Sequence, residues 1–142
     1  MPTYTATLAR PGNSSYTAGP AGQEYTCYSS FTMTVTPVNT DVFEMLRVPA
    51  GARITRVTLK STDIDTNGTP TVLLHVGDAA DPDRLIAGAT IGQAGGTSTA
   101  LVSSTGQFYR YPSETVISVS IPTGPATGAV GTIELAVSYV LQ

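Results

Sequence analysis

The strongest constraint on the fold is an alternation of apolar and polar residues that recurs along the chain with a period of two. Successive side chains of a strand point to opposite faces, so this period predicts half-buried strands and not helices. The apolar members of the clearest segments are Phe31, Met33 and Val35; Val72, Leu74 and Val76; Ile117, Val119 and Ile121; and Ile133, Leu135, Val137, Tyr139 and Leu141. We predict that these residues form one core.

Two further strands are predicted on either side of PAG, residues 49–51, whose Pro and Gly suit a hairpin turn. Ile54 is out of phase with Val57, which predicts a bulge near Thr55. The one helical candidate is DPDRLIAGA, 81–89, where an N-capping Asp precedes Pro. About eight short strands with turn signals between them predict an all-β fold. We expect an antiparallel β-sandwich that is jelly-roll-like, with two four-stranded sheets.

The chain is expected to be one domain preceded by an arm. Residues 1–22 combine alternating Thr and small residues with a Gly/Pro/Ser/Asn cluster, which predicts an extended N-terminal arm with one short strand. Residues 23–142 form the predicted sandwich. A chain of 142 residues can fold without a covalent staple, and the single cysteine, Cys27, allows no internal disulfide.

The composition argues against several classes of partner. Only 12% of the residues are charged and the net charge is −3, so neither nucleic acid nor an anionic membrane is an expected partner. No stretch resembles a signal peptide or reaches the roughly 20 apolar residues of a membrane helix. We therefore expect the chain to be made and folded in a cytoplasm.

The acidic segment STDIDTNGTP, 61–70, has the D-x-D-x-N-G spacing that begins an EF-hand calcium loop. Counting from Asp63, the twelfth position is Leu74, in a predicted strand, where a calcium loop needs a Glu. The segment is therefore interpreted as a turn between strands. A calcium site of another kind would need a second acidic segment, GDAADPDR, to fold back beside it. Its candidate ligands would be Asp63, Asp65, Asp78, Asp81 and Asp83. We otherwise expect no metal and no cofactor.

No catalytic constellation stands out, so the chain is not expected to be an enzyme. His75 is the only histidine, and one histidine cannot supply the ligands of a metal-binding jelly roll. Cys27 or a serine could pair only with His75, and no G-x-S-x-G turn is present. Two of the ten acidic residues could converge as in a glycosidase, but a chain without Trp lacks the aromatic lining typical of such clefts.

Tyrosine and arginine are the residue types that favour a binding surface. The candidate contact residues are Tyr4, Leu8, Tyr16, Arg47, Arg53, Phe108, Tyr109, Arg110 and Tyr111. Four basic residues of the two strands around residues 49–51 suit salt bridges to an acidic partner, with ordinary solvated strand charge as the alternative. They are Arg47, Arg53, Arg56 and Lys60. The sequence FYRY, 108–111, suits an exposed docking patch, with an aromatic-rich strand end as the alternative.

Residues 41–96 resemble small virion proteins encoded near the major capsid protein of tailed bacteriophages. The resemblance lies in the order of its pieces, which are a turn with VPAGA, an acidic turn ending in NGTP, an apolar strand and then GDAADPDRLIAGATIGQAG. It extends more loosely through GTIELAVSYVL, 131–141. Such proteins resemble capsid decoration, or cement, proteins, which are jelly-roll or sandwich domains, often trimeric, on the outer capsid surface.

The resemblance implies a non-enzymatic virion protein that is made in the bacterial cytoplasm and binds the capsid exterior as a symmetric, trimeric decoration protein. The expected partners are the major capsid protein and further copies of the chain. Two alternatives stay open. One is a carbohydrate- or receptor-binding jelly-roll head of a phage, and the other is a head-tail connector or tail component.

Overall fold

The computed structural model describes residues 2–10, 22–99 and 103–141. Within these residues nine strands form two sheets around one core. The strands are β1 (Thr3–Thr5), β2 (Glu24–Thr32), β3 (Val42–Val48), β4 (Ala52–Ser61), β5 (Leu73–Gly77), β6 (Ile86–Ala89), β7 (Gly96–Ser98), β8 (Thr115–Thr123) and β9 (Thr132–Leu141). The helical segments are α1 (Ser103–Gly106) and two 3₁₀ turns, Thr7–Ala9 and Ile91–Gln93. The chain is all-β, as the alternation predicted.

Strands β2 to β9 pass between the two sheets in the order of a jelly roll. The first sheet, which we call the β2 sheet, has the order β2-β9-β4-β7. The second, the β3 sheet, has the order β3-β8-β5-β6 with β1 added beside β3. Neighbouring strands are antiparallel except for β1, which is parallel to β3. The predicted jelly-roll sandwich is confirmed, and β1 makes one of its sheets five-stranded.

The core consists of the apolar faces that the alternation predicted on β5, β8 and β9. All of the predicted members on these strands are buried except Leu141, which is half-buried. Val35 is an error of prediction: its side chain is 58% exposed, because β2 ends at Thr32 and the following residues leave the sheet. The inward positions of β2 include Cys27, a free cysteine whose thiol pKa is raised by burial.

Residues 49–51 connect the two sheets and do not form a hairpin. β3 pairs with β1 and β8, whereas β4 pairs with β9 and β7. The local turn is tight, since the N–H of Ala52 donates to the carbonyl of Pro49 over 3.1 Å, but it redirects the chain into the opposite sheet. The hairpin prediction was therefore wrong. The predicted bulge is confirmed, because the register of β4 with β9 shifts between Ile54 and Arg56.

The predicted helix at 81–89 is also wrong. Residues 81–85 form turns, and β6 follows them as a strand paired with β5. The backbone N–H groups of Ala80 and Asp81 donate to the carboxylate of Asp78, which fixes a turn in place of a helix start. Gly88 has φ +63, which an α-helix does not allow.

The described part of the predicted arm packs against the domain. β1 supplies the one short strand that was predicted, and the ring of Tyr4 stacks on Phe43 with 5.2 Å between centroids. Beyond β1, the buried Ala9 accepts a 2.8 Å hydrogen bond from Nε of Arg47 at its carbonyl. Residues 11–21 lie outside the described residues, so the boundary between arm and domain at residue 22 stays a prediction.

Candidate interaction surface

The loops close the sandwich at two ends. Asp78 is buried at one end, and Asp41 and Asp65 are buried at the other. The Asp78 end comprises loops 49–51, 78–85 and 103–114, and the Asp65 end comprises loops 33–41, 62–72 and 124–131. Asp78 is 6% exposed and Asp65 is 1% exposed. A buried carboxylate is costly unless its oxygens are hydrogen-bonded, so the partners of these two residues determine how each end is held.

At the Asp78 end, residues 108–111 run antiparallel along the start of β4. The N–H of Phe108 donates to the carbonyl of Ile54 over 3.0 Å, and the N–H of Ile54 donates to the carbonyl of Tyr109 over 3.0 Å. The N–H of Tyr111 donates to the carbonyl of Ala52 over 2.8 Å. Because β7 pairs with the later half of β4, this segment covers the remaining half of the same edge. Its backbone is fixed by the sheet.

Phe108 displays its ring from this fixed backbone. The side chain is 56% exposed, and φ is +62, a conformation that bulky residues rarely adopt. The backbone of Phe108 is bonded on both sides, by its N–H to Ile54 and by Nη1 of Arg53, which donates to its carbonyl over 3.0 Å. Sparsely populated backbone conformations persist only where surrounding structure enforces them, and they cluster at functional sites. The backbone therefore holds the ring in an exposed position.

A buried polar network lies beneath this segment. Nε of Arg84 donates to Oδ2 of Asp78 over 2.6 Å, and the hydroxyl of Tyr111 donates to the same oxygen over 2.9 Å. The guanidinium of Arg84 lies 3.9 Å from the ring centroid of Tyr109, which meets the ring of Tyr111 edge-on at 4.9 Å. Tyr111 is 3% exposed, so only part of FYRY is an exposed patch and its last tyrosine belongs to the interior.

The protonation states of the network follow from these contacts. Burial raises the pKa of Asp78, but the hydrogen bonds from Arg84 and Tyr111 outweigh it and hold the pKa below its usual value. Burial and the neighbouring Asp78 carboxylate together raise the pKa of Tyr111 far above its usual range. Asp78 is therefore ionised near neutral pH, and Tyr111 keeps its proton as a hydrogen-bond donor.

Two arginines flank Phe108 without acidic partners. Arg53 and Arg110 face each other across an antiparallel bridge, and no ion pair within the described residues involves either of them. Arg47, by contrast, pairs with Glu114 over 3.2 Å. Four basic residues were expected to meet an acidic partner, and Arg53 is the one among them that forms no ion pair within the described residues.

At the Asp65 end, the carboxylate accepts only backbone hydrogen bonds. The donors are the N–H groups of Asn67, Thr71, Val72, Ala126 and Thr127, at 2.7 to 3.4 Å. Burial raises the pKa of Asp65, but the N–H donors outweigh it and hold the pKa far below its usual value. The turn interpretation of STDIDTNGTP is confirmed: strands β4 and β5 flank it, and Asp65 ties it to loop 124–131.

The five candidate calcium ligands do not come together. Asp63 and Asp65 lie at one end of the sandwich, and Asp78, Asp81 and Asp83 lie at the other. The oxygens of Asp65 and Asp78 are engaged by donors of the protein itself. Across residues 2–10, 22–99 and 103–141, no group of three or more His, Cys, Asp or Glu side chains is placed to hold a metal.

The outer face of the β3 sheet holds a groove of about 520 Å³. Its lining includes Val42, Glu44, His75, Ser118 and Ser120 on the strands, with Ala79 and Pro82 at the Asp78 end. Nδ1 of His75 accepts the N–H of Gly88 over 2.9 Å, so the neutral ring carries its proton on Nε2. Glu44 accepts a 3.0 Å hydrogen bond from Oγ1 of Thr5 and forms no ion pair within the described residues.

The remaining candidate contact residues lie in or beside the arm. Tyr4 and Leu8 are partly buried against the core. Arg47 connects the arm to β3 through the carbonyl of Ala9, in addition to its ion pair with Glu114. Tyr16 lies outside the described residues. The sequence analysis missed the groove and Glu44, because a groove across three strands depends on which strands are neighbours.

Two solved phage capsid structures contain chains similar to this one over nearly its whole length. The chain in the capsid of Ralstonia phage GP4 is 30% identical with a TM-score of 0.88, and the match covers 99% of this chain and 98% of that one. The chain in the capsid asymmetric unit of cyanophage Pam1 is 36% identical with a TM-score of 0.76, and the match covers 96% and 94%. The protein belongs to a family of bacteriophage capsid proteins.

This capsid family confirms the resemblance drawn from residues 41–96, and it gives the protein a structural role in a virion. A chain in the acid-stable capsid of Helicobacter pylori bacteriophage KHP30 shares the fold alone, at 16% identity and a TM-score of 0.62 over 86% of this chain and 90% of that one. No protein-family model and no curated protein matches the sequence. Among the described residues, no helix has the length and apolar character needed to span a membrane.

Proposed function

We propose that this capsid protein is a decoration, or cement, protein that binds the outer surface of a phage capsid as a symmetric trimer and carries out no catalysis. The observation that carries this proposal is the whole-length similarity to chains in two phage capsids, at 30% and 36% identity. The described residues support it further, because the buried carboxylates of Asp65 and Asp78 accept hydrogen bonds from the protein itself. The major capsid protein and further copies of the chain are the proposed partners.

The outer face of the β2 sheet suits a position on the capsid exterior. Apart from Arg53 near its edge, its charges are matched within the described residues, by Arg56 with Glu24 over 3.4 Å and by Lys60 with Glu134 over 3.3 Å. The hydroxyl of Tyr28 donates to Glu134 over 2.6 Å. A face whose charges are paired and whose other groups are hydroxyls presents little net field, so many copies can lie close together without strong repulsion.

The proposed contacts, with the capsid and between copies of the chain, come from the arm and from the exposed members of the patch around Phe108. A trimer engages three equivalent sites at once, so modest contacts per chain multiply through effective concentration. Phe108, Arg53 and Arg110 offer an aromatic ring with two cations, a combination enriched at interfaces. No pocket chemistry or cofactor is required for such a role.

The decisive experiment is co-sedimentation of the purified protein with mature, expanded capsids from which it has been stripped, with and without a chelator. We expect saturable binding at a fixed copy number that the chelator leaves unchanged. Loss of binding in chelator would instead show that a metal ion takes part in attachment. An absence of binding in both conditions would overturn the decoration role.

The arm is tested by removing residues 2–20. We expect weaker attachment to capsids, because the arm supplies contacts that a globular domain alone lacks. Since Tyr4 stacks on Phe43 and β1 pairs with β3, the shortened chain must first be shown to melt cooperatively. The control is Tyr4→Ser in the full-length chain, which disturbs the same packing but keeps the arm. Equal attachment of shortened and intact chains would exclude a role for the arm.

The two rival functions predict different results in the same preparation. Binding on a glycan array that is lost in Tyr109→Ala would favour a carbohydrate- or receptor-binding head. A ring of six or more subunits by light scattering would favour a connector or tail component. The decoration role predicts a mass three times that of the 14.7 kDa chain and no glycan binding.

A further inference from the structure

Phe108 and the groove on the β3 sheet are complementary, and every copy of the chain carries both. We propose that Phe108 of one copy inserts into the groove of a second copy, with Arg110 of the first beside Glu44 of the second. This contact rests on the trimer of the proposed function and specifies how its chains meet.

The shape of the two surfaces supports the contact. Phe108 projects from a segment that is hydrogen-bonded along β4 and supported by the Asp78 network, so little freedom of its backbone is lost on binding. The groove of about 520 Å³ offers an apolar wall from Val42 and Pro82 and small hydroxyl side chains from β8. An aromatic ring in a small-residue groove is the usual form of a strong interface contact.

The charges support it as well. Arg53 and Arg110 have no acidic partner within the described residues, and Glu44 has no basic one. Within one chain they belong to different sheets, because Arg53 lies on β4 beside Arg110 whereas Glu44 lies on β3. The unmatched cations and the unmatched carboxylate therefore meet when one copy docks on another, which places opposite charges across the contact.

The symmetry of the assembly follows from the fact that Phe108 and the groove are two different surfaces of each copy. Because the projecting ring and the receiving groove are separate surfaces, each copy gives one contact and receives one, and such head-to-tail contacts form a ring when the rotation closes. In a closed trimer all three rings and all three grooves are occupied.

The first test is the mass of the purified protein by sedimentation equilibrium. We expect a trimer for the unaltered chain and dissociation for Phe108→Ser, with self-association weakened about 30-fold or more. The matched control is Val35→Ser, since Val35 is 58% exposed and lies at the opposite end of the sandwich. A monomeric unaltered chain at about 100 µM, or a Phe108→Ser variant that stays trimeric, would overturn the proposal.

The second test mixes two defective chains. Phe108→Ser lacks the ring, and Ser120→Trp fills the groove, so each variant alone is expected to be monomeric. Mixed in equal amounts, they retain one intact ring and one intact groove, and we expect a one-to-one dimer that cannot close into a trimer. A mixture that remains monomeric, or that forms trimers, would contradict a head-to-tail contact. Both variants are first shown to melt cooperatively.

The third test exchanges the charges. Arg110→Glu and Glu44→Arg are each expected to weaken self-association about tenfold or more, and the double variant is expected to recover most of the loss. If the double variant loses self-association by the sum of the two single effects, Arg110 and Glu44 do not interact, and their pairing is rejected. Capsid co-sedimentation keeps this inference distinct from the proposed function, because a monomeric chain that still binds capsids would overturn the contact and leave the decoration role standing.

Discussion

The two ends of the sandwich each bury an aspartate but satisfy it with different kinds of donor. All five donors to Asp65 are backbone N–H groups from loops 62–72 and 124–131. Asp78 also receives two side chains, Arg84 and Tyr111. A side chain can rotate to find water, whereas a backbone N–H moves only with its loop. The carboxylate at the Asp65 end is therefore held by loop backbone alone, whereas the one at the Asp78 end also depends on the side chains of Arg84 and Tyr111.

The largest effect is expected from Asp65→Asn. An amide has one acceptor oxygen in place of two, so several backbone N–H groups lose their partner and cannot reach another. We expect a fall in Tm of about 10 °C or more by calorimetry. The control is Asp63→Asn in the same turn, which is exposed and accepts one hydrogen bond, from the N–H of Asp65. Equal falls in Tm for the two variants would show that Asp65 contributes no more to stability than Asp63.

A smaller effect is expected from Asp78→Asn. The substitution leaves Arg84 without its closest counter-charge, but the guanidinium is 14% exposed and stays near the carboxylate of Asp81, at 3.8 Å. Because Arg84 can turn toward solvent, we expect a fall in Tm of about 6 °C, below that of Asp65→Asn. Asp83→Asn is the matched control. A fall in Tm larger than that of Asp65→Asn would show that Asp78 contributes more to stability than Asp65.

The sequence predicted the contributions that depend on local pattern. The alternation on β5, β8 and β9, the bulge at Ile54 and the turn after β4 all follow from residues within a few positions of one another. The errors concern pairing at a distance. PAG, 49–51, has the composition of a hairpin, yet the strands around it join different sheets, because each finds its partners elsewhere. Segment 81–89 has a helical start, but its later residues pair with β5 as strand β6.

In the interaction surface, too, the sequence identified the residue types but not the contacts that depend on distant residues. FYRY, 108–111, was recognised by residue type, but whether each ring is displayed or buried depends on its register against β4. Tyr111 is buried because its hydroxyl meets Asp78, 33 residues away in sequence. The groove and Glu44 had no signal of their own, since Val42, Ser118 and His75 become neighbours only when β3, β8 and β5 pair.

Asp65 and Asp78 also determine how the stability of the protein responds to acid. The pKa values of Asp65 and Asp78 are both lowered in the folded protein, so their contribution to stability is fully present above about pH 4, the value for an unfolded Asp. It is lost as the pH falls below 4 toward the folded pKa values. We expect Tm to drop between pH 4 and pH 2, and the drop to be shallower in Asp65→Asn. Parallel acid profiles for the variant and the unaltered chain would show that Asp65 is not the titrating group.

The smallest effect is expected from a pair of glycine substitutions, one at each end. A Cβ at Gly106 would collide with the carbonyl oxygen of Arg84, whereas a Cβ at Gly68 meets nothing within 4 Å. We expect Gly106→Ala to lower Tm by about 4 °C and Gly68→Ala to leave it within about 1 °C. Comparing the two variants distinguishes the steric effect of the new Cβ from the general effect of replacing a glycine.

Gly106→Ala also tests whether the Asp78 end supports the display of Phe108. The carbonyl of Gly106 accepts the N–H of Tyr109 over 3.2 Å, and the collision with Arg84 pushes the loop against the network that holds Tyr109 and Tyr111. If the rigid backbone gives Phe108 its role, self-association should weaken in Gly106→Ala although the ring itself is unchanged. An unaltered trimer with a lowered Tm would show that the ring alone suffices and that the network serves stability only.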